Sequence, residues 1–205
     1  LPPLPYLDES HLAWKRYNGA VLEAALTHDE ALGGSAVALL DARYIIALAK
    51  IDGAVLARRD DLPREAFLDL DTVKKLPDLG TAMRLIAVSH PWQQPDHPDP
   101  RGANLRLLAR VLEIMLERFG GTFGVFFDFG SLYQKDTGSE RAPKQAALFK
   151  RALTNMMDWY AHPKAFTFKL TALPKGYPEG FAQLIESPTS WHITPMQIDT
   201  RNRDC

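Results

Sequence analysis

The chain has 205 residues, and its 24 Lys and Arg against 25 Asp and Glu leave a formal net charge of -1, which excludes the strong positive field of a general nucleic-acid binder. Apolar residues make up 46% of the chain, and no run approaches ~18 consecutive apolar positions, so the composition fits a globular domain and excludes a membrane-spanning helix. The single cysteine, Cys205, excludes a disulfide framework and a multi-cysteine metal site.

From the amino terminus, Leu1-Pro2-Pro3-Leu4-Pro5-Tyr6-Leu7 holds three of the 15 prolines. Proline fixes φ and removes a donor, so this arm is expected to be extended, lying on its own domain or on a partner. Its first residue is Leu rather than Met, which reads as a processed form or a fragment. Asp8 or Ser10 is placed to cap one following helix, with Leu12, Tyr17, Val21, Leu22, Ala25 and Leu26 as its apolar stripe, closed by Gly33-Gly34. Residues 36–57 are rich in Ala, Leu and Ile and fit either a helix or a pair of strands. Residues 62–79, punctuated by Pro63 and Pro77, read as short helices and loop.

The centre is sharper. Met83-Arg84-Leu85-Ile86-Ala87-Val88 has strand length and composition, and Ser89-His90-Pro91-Trp92 ends it. After a proline-dense loop, Asp99 and Pro100 are expected to open a helix. Its apolar positions Leu105, Leu108, Leu112 and Met115 run to a stop at Gly120-Gly121. Residues 122–127 form a second, continuously apolar strand that ends at Asp128. One helix is expected over 139–161, then a third strand over 165–170. Residues 171–205 read as an extended tail with a short helix near 181–186.

Strand, helix, strand, helix, strand predicts an α/β fold with a parallel sheet covered on both faces. The carboxyl ends of its strands then share one edge, where open α/β sheets bind ligands. The candidate edge residues are Ser89, His90, Trp92, Asp128, Ser131 and Gln134. Trp92 serves either to stack on a planar ligand or, the favoured reading, to plug the end of the sheet. Asp128 and Gln134 are suited to fixing their own loop.

Other chemistries are weaker. His90, His97, Asp96 and Asp99 could suggest a metal site, but Asp99 is better explained as a helix cap and the prolines between these residues restrict convergence, so no metal is expected. A Ser-His-Asp triad could be drawn from Ser89 or Ser131 with His90 and Asp128, but adjacent Ser89 and His90 on a strand point to opposite faces and no nucleophile-elbow sequence is present, so none is expected. No GxGxxG or Walker sequence is present. Arg141, Lys144, Lys150 and Arg151 are read as a solvated basic helix face, and no nucleic-acid partner is expected.

Several of these motifs resemble the TIR-like superfamily, in particular the branch holding fungal heterokaryon-incompatibility (HET) domains and algal proteins. Ile86-Ala87-Val88-Ser89-His90-Pro91-Trp92 looks like that branch's first strand and Ser-His-x-Trp loop. The Pro/Asp-rich stretch 95–102 is similar to the one some members carry before their first helix. Phe126-Phe127-Asp128-Phe129-Gly130-Ser131-Leu132-Tyr133-Gln134 resembles its second block, an aromatic strand, Asp, then Cys-Ile-x-Gln. Ser131 stands where the branch usually has Cys. Glu140-Arg141 and Gln145 are similar to residues opening the next helix. The resemblance covers residues 83–170.

It implies a flavodoxin-like fold that works by self-association or docking onto other protein subunits. Some TIR members cleave NAD with a glutamate on the helix after the third strand. Here that stretch begins Thr171-Ala172-Leu173-Pro174, and the nearest carboxylates are Glu179 and Glu186, with Trp191 downstream. The expectation is therefore a non-catalytic interaction domain without a cofactor, in three parts: arm and helix over 1–35, α/β domain over 36–170, tail over 171–205. Its alternative is an NAD-cleaving hydrolase that uses Glu186 or Glu179, with Trp92 stacking the nicotinamide. A reducing compartment or an organelle interior is favoured over secretion.

Overall fold

The fold is built around two short apolar segments, β3 (Leu85–Ser89) and β4 (Gly124–Phe127), in which every residue is buried. A strand covered on both faces needs apolar side chains at consecutive positions, and these two supply them. The computed structural model describes residues 12–135 and 140–170. Together with β5 (Phe166–Lys169) the two strands form a parallel ribbon, with Ile86 opposite Val125 on one side and Phe166 on the other.

Two further strands extend this ribbon. β1 (Leu39–Asp41) lies antiparallel to β4, and β2 (Phe67–Leu68) antiparallel to β1. The sheet order is β2-β1-β4-β3-β5, so the expected parallel sheet is only partly parallel. Its cause is local. The chain enters β1 from the carboxyl edge, where the Ala38 N–H bonds the Ser131 carbonyl, and so runs against its neighbour. Residues 36–57 thus supply one strand and one helix, α3 (Ala42–Ala49), whose N-terminus is capped by the Asp41 carboxylate. Residues 62–79 hold a single 3-10 turn, β2 and the short helix α4 (Leu70–Lys75).

Helices cover both faces. On one side α5 (Ala103–Phe119) buries Leu105, Leu108 and Leu112 against Ile86, Val88, Val125 and Phe127. On the other, α2 (Ala20–Leu26), α7 (Pro143–Thr154) and α8 (Met156–Ala161) pack on Leu39, Ala87 and Phe126, where the Trp159 ring stacks on Phe126 at 5.2 Å.

Three helix boundaries differ from those the sequence suggests. The first helical stripe is split into α1 (Leu12–Arg16) and α2, because Asn18 takes a positive φ of 59° and Gly19 lets the Trp14 ring close over it. Val21, placed on the apolar stripe, is 43% exposed, while Tyr17, Leu22, Ala25 and Leu26 are buried. α2 ends at Leu26, ahead of the expected stop at Gly33-Gly34.

Helix α5 starts at Ala103 rather than at Pro100, after a turn closed by the bond from Gly102 N to the Asp99 carbonyl. Asp99 still caps it from a distance, its Oδ2 accepting from Leu105 N at 2.8 Å. The helix expected over 139–161 is broken at Asn155. There the Thr154 hydroxyl donates back to the Lys150 carbonyl, a bond that competes with helix propagation. The caps proposed at Asp8 and Ser10, the helix start at Ser139, the helix near 181–186 and the carboxylates Glu179 and Glu186 lie outside the described residues. Among the described residues no helix is long and apolar enough to cross a membrane.

Candidate functional site

Parallel pairing of β3 with β4 brings the residues after each strand to the same edge. Val88 pairs with Phe127, so His90 and Asp128 leave the sheet side by side. The His90 ring stacks on Phe127 at 4.3 Å with an interplanar angle of 28°, and its side chain is 1% exposed. His90 Nε2 lies 3.0 Å from Asp128 Oδ1. An ionised carboxylate only accepts, so this contact places the imidazole proton on Nε2. His90 Nδ1 is buried without a hydrogen-bond partner among the described residues.

Asp128 is the hub of the edge. Oδ1 also accepts from the Phe129 N–H at 2.7 Å, and Oδ2 accepts from the Trp92 indole N–H at 3.2 Å. Its carbonyl takes the Gln134 side-chain amide at 3.0 Å, so Gln134 fastens the loop rather than facing a ligand with both ends. Burial, aided by the Asp128 charge, pushes the Tyr160 phenol well above its ordinary range, so that hydroxyl stays protonated.

The edge candidates thus divide. His90, Trp92, Asp128 and Gln134 are joined by direct hydrogen bonds. Ser131 is 0% exposed and accepts from the Phe127 N–H at 3.0 Å, which turns α6 (Asp128–Ser131) and removes it from any ligand's reach. Ser89 is buried within β3, where its carbonyl takes the Leu170 N–H. Trp92 does not plug the sheet: it is 41% exposed and meets Phe129 edge-on at 5.7 Å. The buried aromatic there is instead Phe129, with the His97 ring 4.7 Å from it. Gln93 and Gln94 N–H groups bond the Pro98 and His97 carbonyls.

His97 and Asp99 are both engaged. Asp99 N–H donates to His97 Nδ1 at 2.9 Å, leaving Nε2 to donate to the Leu56 carbonyl at 3.2 Å. Among the described residues no group of three or more His, Cys, Asp or Glu is arranged to hold a metal ion.

Trp92, His97 and Phe129 form the aromatic side of a cleft of about 690 Å³ at this edge. Its other side carries Arg58, Lys135 and Arg141, which the sequence reading did not place together. Arg58 pairs with Asp61 at 2.9 Å, and Lys135 with Glu140 at 2.8 Å. Arg141 donates to the Tyr133 carbonyl and lies 3.5 Å above the Phe149 ring; burial lowers its pKa from the ordinary value. Arg151 leaves the expected basic face to bond Asp29 and the Ala24 carbonyl. The Arg58-Arg59-Asp60-Asp61 charge run was the available sequence signal for the cleft's basic wall. The arrangement suits an aromatic group lying against Trp92 with polar atoms directed to the arginines. No protein-family model, curated protein or solved structure matches the chain.

Proposed function

We propose that the chain is a non-catalytic interaction domain of TIR/HET-like type, docking onto its own copies and onto other protein subunits through the carboxyl edge of its parallel strands. One observation carries this reading: Trp92 is exposed yet fixed, its N–H held by Asp128 and its ring edge-on to Phe129. A large aromatic held in place before contact loses little entropy on docking, and tryptophans are enriched among residues that dominate interface energy. The commitment of Asp128 to three donors also favours binding over catalysis, because both oxygens already hold neighbouring groups. The order of the parallel strands (second, first, third) supports the flavodoxin-like assignment, whose strand order opens the same way.

The cleft beside Trp92 favours one second reading, cleavage of NAD with the nicotinamide on Trp92. One set of samples separates the two. Wild-type protein is expected to gain mass with concentration in light scattering and to release no nicotinamide from NAD. Trp92→Ala should weaken association by at least about thirtyfold, equivalent to roughly 2 kcal/mol. Nicotinamide release that disappears in the Glu179→Gln, Glu186→Gln double variant would establish the enzyme reading instead.

A further inference from the structure

We infer that a second cleft, lined by Arg59 and Tyr133 where the first is lined by their neighbours Arg58 and Gln134, binds a small monocarboxylate with a hydrocarbon body, its oxyanion seated on Arg59. This goes beyond the docking role of Trp92 and does not depend on it.

Arg59 is held by three hydrogen bonds from its guanidinium. Nη1 donates to the Ala36 and Ser131 carbonyls, each at 3.2 Å, and Nη2 to the Ser35 hydroxyl at 3.1 Å. All three acceptors are neutral. The guanidinium sits 4.0 Å from the Tyr133 ring centroid. Gly34 permits this arrangement, since a Cβ there would come within 2.6 Å of the Tyr133 hydroxyl. The Nε–H and the second N–H of Nη2 have no acceptor among the described residues. Burial lowers the Arg59 pKa from its ordinary value, with Tyr133 and Asp60 acting in the opposite sense. A partly buried guanidinium with open donors matches the planar, two-oxygen geometry of a carboxylate.

The rest of the cleft narrows the ligand. Its volume is about 570 Å³, and Leu26, Val37, Phe67, Leu68 and Leu70 supply an apolar wall. The lining charges are Arg59 and Arg64 against Asp60 and Asp69. Both carboxylates are used locally: Asp60 accepts from the Gln145 amide, and Asp69 caps α4 through Thr72. Formal charges of the lining balance, so no net positive field is there to hold a di- or triphosphate, and an anion is held by the Arg59 donors alone. His28 also borders the cleft.

Calorimetry with octanoate, octanol and inorganic phosphate tests the site. Octanoate is expected to bind at least about tenfold more tightly than either control, and Arg59→Gln should remove that preference. Because Arg59 joins three segments, its variant is checked for folding by circular dichroism. Leu70→Asp, which leaves every Arg59 hydrogen bond in place and adds a carboxylate to the cleft, should weaken octanoate by about tenfold or more. Absence of octanoate binding, equal binding of octanol or phosphate, or undiminished binding in folded Leu70→Asp would each overturn the inference.

Discussion

Asp128 shows how one residue can set the character of a surface. Its carboxylate collects the His90 ring and the Trp92 indole, which follow β3, and the Phe129 N–H, which lies in the α6 turn after β4. Asp128→Asn keeps the shape but replaces one acceptor oxygen with a donor, so one of these three groups must lose its partner. The expected cost is about 1–3 kcal/mol, read as a lower urea midpoint with unchanged slope. The Trp92 indole N–H resonance should also move and broaden. A variant with wild-type midpoint and indole resonance would show that Asp128 does not hold the edge together. At this scale the sequence was informative about position and silent about pairing. That His90 and Asp128 each follow a strand was legible; that Ser131 would turn inward to bond Phe127 N was not, since only the one-turn α6 directs it there.

Among the elements, α5 shows the sharpest local requirement. Gly102 holds φ at 65°, and a Cβ there would collide with the Ala54 carbonyl oxygen. Gly102→Ala is therefore expected to destabilise the fold by roughly 1–3 kcal/mol, through backbone strain and the displacement of residues 54–56. Thermal unfolding checks it, and an unchanged midpoint would contradict the stated contact. The same helix explains what could be read beforehand. Its apolar spacing and Gly120-Gly121 stop identified it, whereas its start was misplaced because Asp99 caps from outside the helix through Leu105. Strands β1 and β2 were not legible because they are three and two residues long. Runs so short carry no measurable alternation, and their place in the sheet follows from tertiary pairing with β4.

Over the whole molecule, the carboxylates predict an acid limit to stability. For Asp41, burial pushes the pKa up, but bonds from the Arg43 side chain, the Thr122 hydroxyl and the Arg43 backbone outweigh it and hold it below the ordinary value. Glu23, bonded by Lys74, and Asp69, capping α4, are depressed as well. Asp60 is raised, chiefly by burial, and works in the opposite sense. A depressed carboxylate stabilises the fold above its unfolded pKa and loses that contribution as pH falls through the folded value. The urea midpoint should hold at neutral pH, then fall below about pH 4. Asp41→Asn should flatten that decline, and an identical acid limb in the variant would remove Asp41 from the account.

The two clefts belong to this scale too, and little of them was visible in advance. Arg58 and Arg59 reach the edge only because the 55–61 segment folds back onto Ala36, Ser131 and Lys135, contacts separated by tens of residues in sequence. No local pattern encodes that approach.

The most direct test of the docking account is light scattering of wild-type and Trp92→Ala protein across rising concentration at fixed ionic strength. The account predicts growing mass for the wild type and monomer mass for the variant at the same concentrations. Equal masses for the two proteins throughout would contradict it, because the exposed tryptophan would then anchor no association.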